Sequence, residues 1–297
     1  MPGAVAAKRW TKPARCGRPA ACGFRAPNPN PVRQVMTHQQ RLDFALEVAR
    51  AAGDFAAGHF RSIDSLSIES KGHQDLVSNA DKETETLVRE AIGTRWPDDG
   101  IVGEEHGRKH GTSGFDWVID PIDGTANFVR GIPQWCVAIA CTEHGLPVIG
   151  VINEPSSGEM FHAVRGGGAF VNGKPMQVAQ ASELSDGSVG AGVSGRTDRA
   201  VAVAMVGRIL GEGGMFFRNA SGALSLAYVA AGRLLGFIED HMNSWDCLAG
   251  LLMIEEAGGT INDLDAKTAL DHGTKVIAGG PNVHWHLAQM ADELFGA

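Results

Sequence analysis

Two short apolar segments, Gly100 to Val102 and Trp117 to Ile119, run straight into acids: Glu104 and Glu105 after the first, Asp120 and Asp123 after the second. Strand-forming residues that end in carboxylates put negative charge at the rim of a sheet, where water or a cation can reach it. Such a sheet needs helices to cover it, and helical periodicity flanks these segments. Leu42, Phe44, Ala45, Val48, Ala49, Ala52, Phe55 and Ala56 recur every three to four residues and predict a helix over 38–60. A second helix is predicted from Asp81 to Arg95, stopped before Pro97. Residues 135–153 read as two strands around a turn at Gly145 to Pro147, followed by strands at 160–164 and 169–171 with Asn172-Gly173 as the next turn. Beyond them, helices are predicted near 199–210, 224–232, 246–257 and 282–295, with a strand at 235–239. The alternation predicts a layered α/β (α+β) fold.

Composition narrows the class. The longest uninterrupted apolar run, Ala200 to Val206, has seven residues, against roughly 20 for a bilayer span. Five cysteines without a CxxC pair fit a reducing compartment, so the chain reads as soluble and cytoplasmic. Residues 1–35 hold seven bases, six of the 13 prolines and no acid, the composition of a disordered extension, with Met36 a candidate start. Without those seven bases the net charge moves from −8 to −15, a body that repels nucleic acid and attracts cations.

Chemistry concentrates in Asp120-Pro121-Ile122-Asp123-Gly124-Thr125-Ala126-Asn127-Phe128. Proline restricts itself and the residue before it, so Asp120, Asp123 and the Ile122 carbonyl can turn toward one point and offer hard oxygens to Mg²⁺. If Thr125 opens a helix, amides of that turn face an anion such as phosphate. The same spacing suits an aspartate cap after a proline turn. The adjacent glutamates of Gly103-Glu104-Glu105 fit a cation site or a solvated pair. Ser244-Trp245-Asp246 and Asp75 to Asp81 each put an acid at a helix start, where capping is the simpler role.

Taken together, DLVSNAD (75–81), GEE (103–105), DPIDGTANF (120–128), GGGAFVNG (166–173) and WDCLAG (245–250) resemble, in order and approximate spacing, the inositol monophosphatase family of Mg²⁺-dependent, lithium-sensitive phosphatases. The resemblance covers about residues 38–295. It implies the αβαβα sandwich of the inositol monophosphatase and fructose-1,6-bisphosphatase type, with an N-terminal α+β half over 36–180 and a C-terminal α/β half over 181–297. It also implies two to three Mg²⁺ ions: one on Glu104, Asp120 and the Ile122 carbonyl, a second on Asp120, Asp123 and Asp246, and a looser third near Glu104 and Asp81. A water activated there and oriented by Thr125 and Asp81 would attack the phosphorus of a monoester. The Gly124 and Thr125 amides would hold phosphate, with Asp123, Ser221 and Gly222 also in contact with the substrate. Glu239, seven residues before Asp246, would accept hydrogen bonds from a polyol.

The resemblance implies inositol monophosphate as substrate, lithium inhibition and a homodimer. It leaves histidinol phosphate, a sugar bisphosphate or adenosine 3′,5′-bisphosphate as alternatives, and a regulatory, RNA-associated protein on the same fold as a different class. The chain departs from the family at Ser221-Gly222, where glycine usually comes first, at Arg130, where histidine is common, and at Ala126, where a hydroxyl or tryptophan is common.

Overall fold

The computed structural model of the chain describes residues 31–72, 75–266 and 268–296. Most of the basic stretch predicted as an extension, residues 1–30, lies outside them. Helix α1 (Pro31–Phe60) leads into a hairpin of β1 (Ile68–Gly72) and β2 (Asp75–Ser78), then α2 (Asn79–Arg95). An eight-stranded sheet follows: β3 (Gly100–Gly103), β4 (Gly107–Lys109), β5 (Phe115–Asp123), β6 (Cys136–Glu143), β7 (Leu146–Glu154), β8 (Glu159–Val164), β9 (Gly168–Val171) and β10 (Lys174–Pro175). Its order is β10-β9-β8-β7-β6-β5-β3-β4, antiparallel except between β3 and β5. The short helix α3 (Thr125–Phe128) leaves the end of β5.

The second sheet is built from β11 (Ser188–Ala191), β12 (Met215–Phe217), β13 (Gly236–Met242), β14 (Thr260–Ile261) and β15 (Thr274–Gly279), in the order β12-β11-β13-β15-β14. Between these strands run α4 (Arg199–Gly211), α5 (Gly222–Ala230), α6 (Ser244–Glu256) and α7 (Ala269–His272), and α8 (Pro281–Leu294) closes the order. Helices α1 and α2 cover one face of the large sheet, α5 and α6 fill the space between the sheets, and α4 and α8 cover the outer face of the small sheet. The result is the five-layer αβαβα sandwich that the resemblance implied.

The sequence pattern follows from this layering. Strands β6 and β7 are buried along almost their whole length because both faces meet helices, so they read as continuous apolar runs without alternation. Helix α6 is apolar on every side from Cys247 to Ile254 for the same reason. Among the described residues no helix is long and apolar enough to cross a membrane.

Two sequence expectations are corrected. The turn between β6 and β7 is made by His144 and Gly145, both at positive φ (52° and 84°), as a two-residue hairpin requires. Pro147 lies inside β7, opposite Thr142 at an irregularity of the ladder, a place where a residue without an N–H is tolerated. The predicted strand 117–119 is the middle of a nine-residue strand that carries both aspartates within it. The turn at Asn172-Gly173 has the positive φ expected of it.

Candidate functional site

In a regular strand, residues three apart point to opposite faces, so Asp120 and Asp123 would diverge. The ladder between β5 and β6 prevents this: Asp120 pairs with Ala138 and Asp123 with Cys136, so that Pro121 and Ile122 together oppose Val137. This bulge, at a proline that could not have donated to the ladder, returns both carboxylates to one side. Asp246 meets them from the first turn of α6. One oxygen from each of the three lies within 4.8 Å of the others.

The capping alternative for Asp246 is also realised. Asn243 donates its backbone N–H (3.2 Å) and its Nδ2 (3.0 Å) to Asp246 Oδ2, closing a capping box on α6. Both bonds fall on one oxygen, so the cap does not consume Oδ1. Asp81 is different. It caps α2 by accepting from the Ser78 backbone (2.8 Å) and hydroxyl (2.6 Å) on Oδ2, while Thr125 Oγ1 donates to its Oδ1 at 2.9 Å. Both oxygens of this fully buried carboxylate are engaged, and it stands outside the three-aspartate cluster. Thr125 opens α3, with Gly124 as its N-cap, and its hydroxyl also approaches the Ile122 carbonyl at 3.1 Å.

Electrostatics mark the cluster as unbalanced without a cation. Burial, then the charges of Glu104, Asp123 and Asp246, push the Asp120 carboxyl well above the usual carboxylate range. Asp246 is pushed up to about 7 by burial and by Asp123. Asp123 is raised by burial, against donors that favour its charge: Ser221 Oγ (2.5 Å), Ala223 N (2.7 Å) and Gly222 N (3.2 Å). Carboxylate oxygens converging with no ion-paired cation among the described residues are the donor set of a hard divalent ion.

Glu104 follows β3, half-buried, on the rim of a cavity of about 790 Å³. Asp123, Gly124, Thr125, Ser221, Gly222, Glu239 and Asp246 line the same cavity. Glu239, on β13, is pushed up to about 8 by burial and then by Asp246, Asp240 and Asp123. A Cβ on Gly192 would stand 1.8 Å from Glu239 Oε2, so only glycine leaves room for this carboxyl.

Ser221 and Gly222 line the cavity and also hold one of its acids. The first turn of α5 wraps Asp123, and the Ser221 hydroxyl and the Gly222 amide donate to that carboxylate. Three further residues were not singled out as site residues. Asn127 Nδ2 donates to the carbonyls of Gln134 and Asn219, both at 2.7 Å, tying the α3 segment to the loop before α5. Asn219 Oδ1 in turn accepts from Ser221 N (3.1 Å) and Ser225 Oγ (2.8 Å). Glu85, fully buried on α2, accepts from Glu105 N at 2.7 Å and His106 N at 3.2 Å and so fixes the segment that carries Glu104. A Cβ on Gly103 would lie 2.1 Å from Glu85 Oε1, which accounts for the glycine before the two glutamates.

The model of the inositol monophosphatase family matches residues 37–294. The chain is 38% identical over 248 residues to the inositol-1-monophosphatase of Mesorhizobium japonicum, a match spanning 82% of this chain and 93% of that protein. It is 36% identical over 261 residues to the Nus factor SuhB of Escherichia coli, spanning 86% and 97%. The crystal structure of extragenic suppressor protein suhB from Bartonella henselae superposes with a TM-score of 0.80 at 32% identity, covering 84% of this chain and 98% of that one. On a match of this length in sequence and in fold, the chain belongs to the inositol monophosphatase family.

Proposed function

We propose that this chain hydrolyses inositol monophosphate to inositol and phosphate in an Mg²⁺-dependent reaction. Family membership makes it a phosphatase; the observation that supports the finer reading is the convergence of Asp120, Asp123 and Asp246 beside a cavity that Glu239 also lines. Glu104, Asp120, the Ile122 carbonyl, Asp123 and Asp246 are the residues that would hold two Mg²⁺, with Asp81 near a third. Bound there, the ions supply Lewis-acid stabilisation of phosphoryl charge and a lowered pKa for water.

The chain's own groups do the positioning. The Thr125 hydroxyl has two protein acceptors for its single proton, Asp81 Oδ1 at 2.9 Å and the Ile122 carbonyl at 3.1 Å, so its lone pairs would be left to accept a hydrogen bond from the attacking water and orient it. The Gly124 and Thr125 amides, at the start of α3 on the cavity wall, would hold the phosphate. Glu239, whose carboxyl is pushed up to about 8 by burial and the nearby aspartates without metal, would offer its oxygens to polyol hydroxyls. In this reading the metals sit at the junction of an N-terminal half over 36–180 and a C-terminal half over 181–297. The enzyme is a cytoplasmic homodimer inhibited by lithium.

Phosphate release measured on inositol 1-phosphate, histidinol phosphate, fructose 1,6-bisphosphate and adenosine 3′,5′-bisphosphate tests the substrate. A kcat/KM tenfold higher on any of the last three would move the assignment there. The Nus factor name of the Escherichia coli relative favours a second reading, a regulatory protein on this fold. Salt-sensitive RNA binding by the chain without residues 1–35, together with no phosphate release, is the outcome that would establish it.

Ser221→Ala is expected to raise the Mg²⁺ concentration needed for half-maximal rate by about tenfold, the worth of a hydrogen bond to a charged group. Asp123 keeps the Gly222 and Ala223 amides and the fold is retained. An unchanged Mg²⁺ dependence would show that the hydroxyl does not position Asp123.

A further inference from the structure

One side chain on the cavity wall has no part in the proposed hydrolysis. His241 follows Glu239 by two residues on β13 and lines the same cavity. The ladder between β13 and β15 pairs Glu239 with Val276 and Met242 with Thr274, so that Asp240 and His241 together oppose Lys275. A bulge of this kind re-aims the side chains it carries. Asp240 is held by Thr197 Oγ1, which donates to its Oδ1 at 2.9 Å, and His241 stands half-buried on the wall.

A single bond fixes the ring and its tautomer. His241 Nε2 lies 2.8 Å from the carbonyl of His272, the last residue of α7. A carbonyl only accepts, so Nε2 carries the hydrogen and donates it. The acceptor is available because the last carbonyls of a helix have no partner within it. Its approach to β13 depends on Gly273, whose φ is +69° and where a Cβ would stand 2.0 Å from the Met242 carbonyl. In the neutral ring Nδ1 is then left with a lone pair. That nitrogen is buried, and among the described residues no group meets it with a hydrogen bond. A buried acceptor of this kind is unfavourable until a donor reaches it.

The chemistry of the substrate decides which donor that is. The oxygens of a phosphate dianion only accept, so the phosphoryl end has no hydrogen to offer Nδ1, whereas an alcohol hydroxyl does. Glu239, on the same strand and the same wall, is the residue assigned to those hydroxyls. We propose that His241 is a specificity-determining residue whose Nδ1 accepts a hydrogen bond from a hydroxyl of the substrate's alcohol portion, favouring inositol monophosphate over monoesters with fewer hydroxyls. This deepens the phosphomonoesterase reading and rests on it. The hydroxyl is remote from the reacting phosphorus, so the bond persists from the ground state to the transition state and acts mainly on KM.

The test compares kcat/KM for inositol 1-phosphate and glycerol 2-phosphate in the full chain at saturating Mg²⁺, where the inositol ester is expected to be preferred. His241→Gln puts an amide nitrogen near the Nε2 position and keeps the bond to His272, but it has no acceptor at Nδ1. The preference is expected to fall about fivefold, the scale of one hydrogen bond, through KM on the inositol ester. His241→Asn puts its Oδ1 near the Nδ1 position while giving up the bond to His272, and it is expected to keep the preference within about twofold. A preference unchanged in His241→Gln, or a loss shared equally by both esters, overturns the assignment and leaves the phosphatase reading standing. A preference lost in His241→Asn and kept in His241→Gln makes the ring a brace for α7 and overturns it as well. Release from neither ester removes the phosphomonoesterase reading, and the role of His241 with it. A second measurement needs no substitution: in the ¹⁵N-labelled chain, inositol and inorganic phosphate at concentrations that inhibit turnover are expected to shift the Nδ1 resonance of His241, and an unmoved resonance contradicts the contact.

Discussion

Asp120→Asn is expected to lower phosphate release by about a thousandfold or more while raising the melting temperature of the metal-free protein. The two effects have one cause. Asp120 is almost fully buried near Glu104, Asp123 and Asp246, and among the described residues no cation balances it. With metal bound, removing its charge takes away a ligand that the proposed ions share, and several kcal/mol of transition-state stabilisation corresponds to about three powers of ten in rate. Without metal, the same change removes a buried carboxyl that its neighbours repel, and the amide can still accept the hydrogen bond that Ile122 N donates to Asp120 Oδ1 at 3.0 Å. The measurements are kcat at saturating Mg²⁺ and the melting temperature in EDTA. Activity within tenfold of wild type would remove Asp120 from the mechanism, and a lowered melting temperature would show that its role is structural.

The metal-free protein should also lose stability as pH rises, the reverse of the usual behaviour of ion-paired carboxylates. A carboxyl whose pKa is higher in the folded chain than in the unfolded one makes no difference below the unfolded value, since both states are then protonated. As pH climbs past about 4 the unfolded chain releases its proton and the folded chain keeps it, so the unfolded state gains. The loss grows until the folded pKa is passed, at about 7 for Asp246 and about 8 for Glu239. Asp120 and Asp123 shift in the same direction.

The summed cost is on the order of several kcal/mol between pH 4 and 8, equivalent to roughly 10 °C or more in a chain of this size. Mg²⁺ should therefore stabilise the protein little at pH 5 and strongly at pH 8.5, because at high pH it neutralises charges that the fold otherwise has to hold alone. Thermal unfolding in EDTA and in Mg²⁺ across this range reads both effects. A melting temperature that stays flat or rises with pH in EDTA would mean that the aspartates do not form a closed cluster without metal.

Periodicity is legible where burial is one-sided or complete. The spacing of Leu42, Ala45, Ala49 and Ala52 gives α1, and the apolar remainder of α6 announces a helix sealed between two sheets. The site's acids are legible because carboxylates at the ends of apolar strands are costly to place without a reason. The proline predicts that Asp120 and Asp123 turn toward one point, but not that a bulge at Pro121-Ile122 inside a strand does it, since a ladder slip depends on the partner strand. It decides that Asp120 and Asp123 face the same way.

The misread turn has a similar origin. Pro147 is the conspicuous breaker, yet β7 begins at Leu146 and absorbs it at an irregular pair, while His144 and Gly145 make the reversal. The hairpin of β1 and β2 goes unpredicted because Ile68–Gly72 is polar and lacks the alternation of a half-buried strand. Asn127 and Glu85 escape notice for a related reason. They serve a loop 92 positions away and an amide 20 positions away, and single polar residues carry no sign of such distant partners.

The central claim is that the three-aspartate cluster makes this chain a metal-dependent phosphomonoesterase. Its most direct test is phosphate release from inositol 1-phosphate by the full chain, first in EDTA and then across an Mg²⁺ titration. The account predicts no release in EDTA and a saturable rise with Mg²⁺. Release that persists undiminished in EDTA would contradict it.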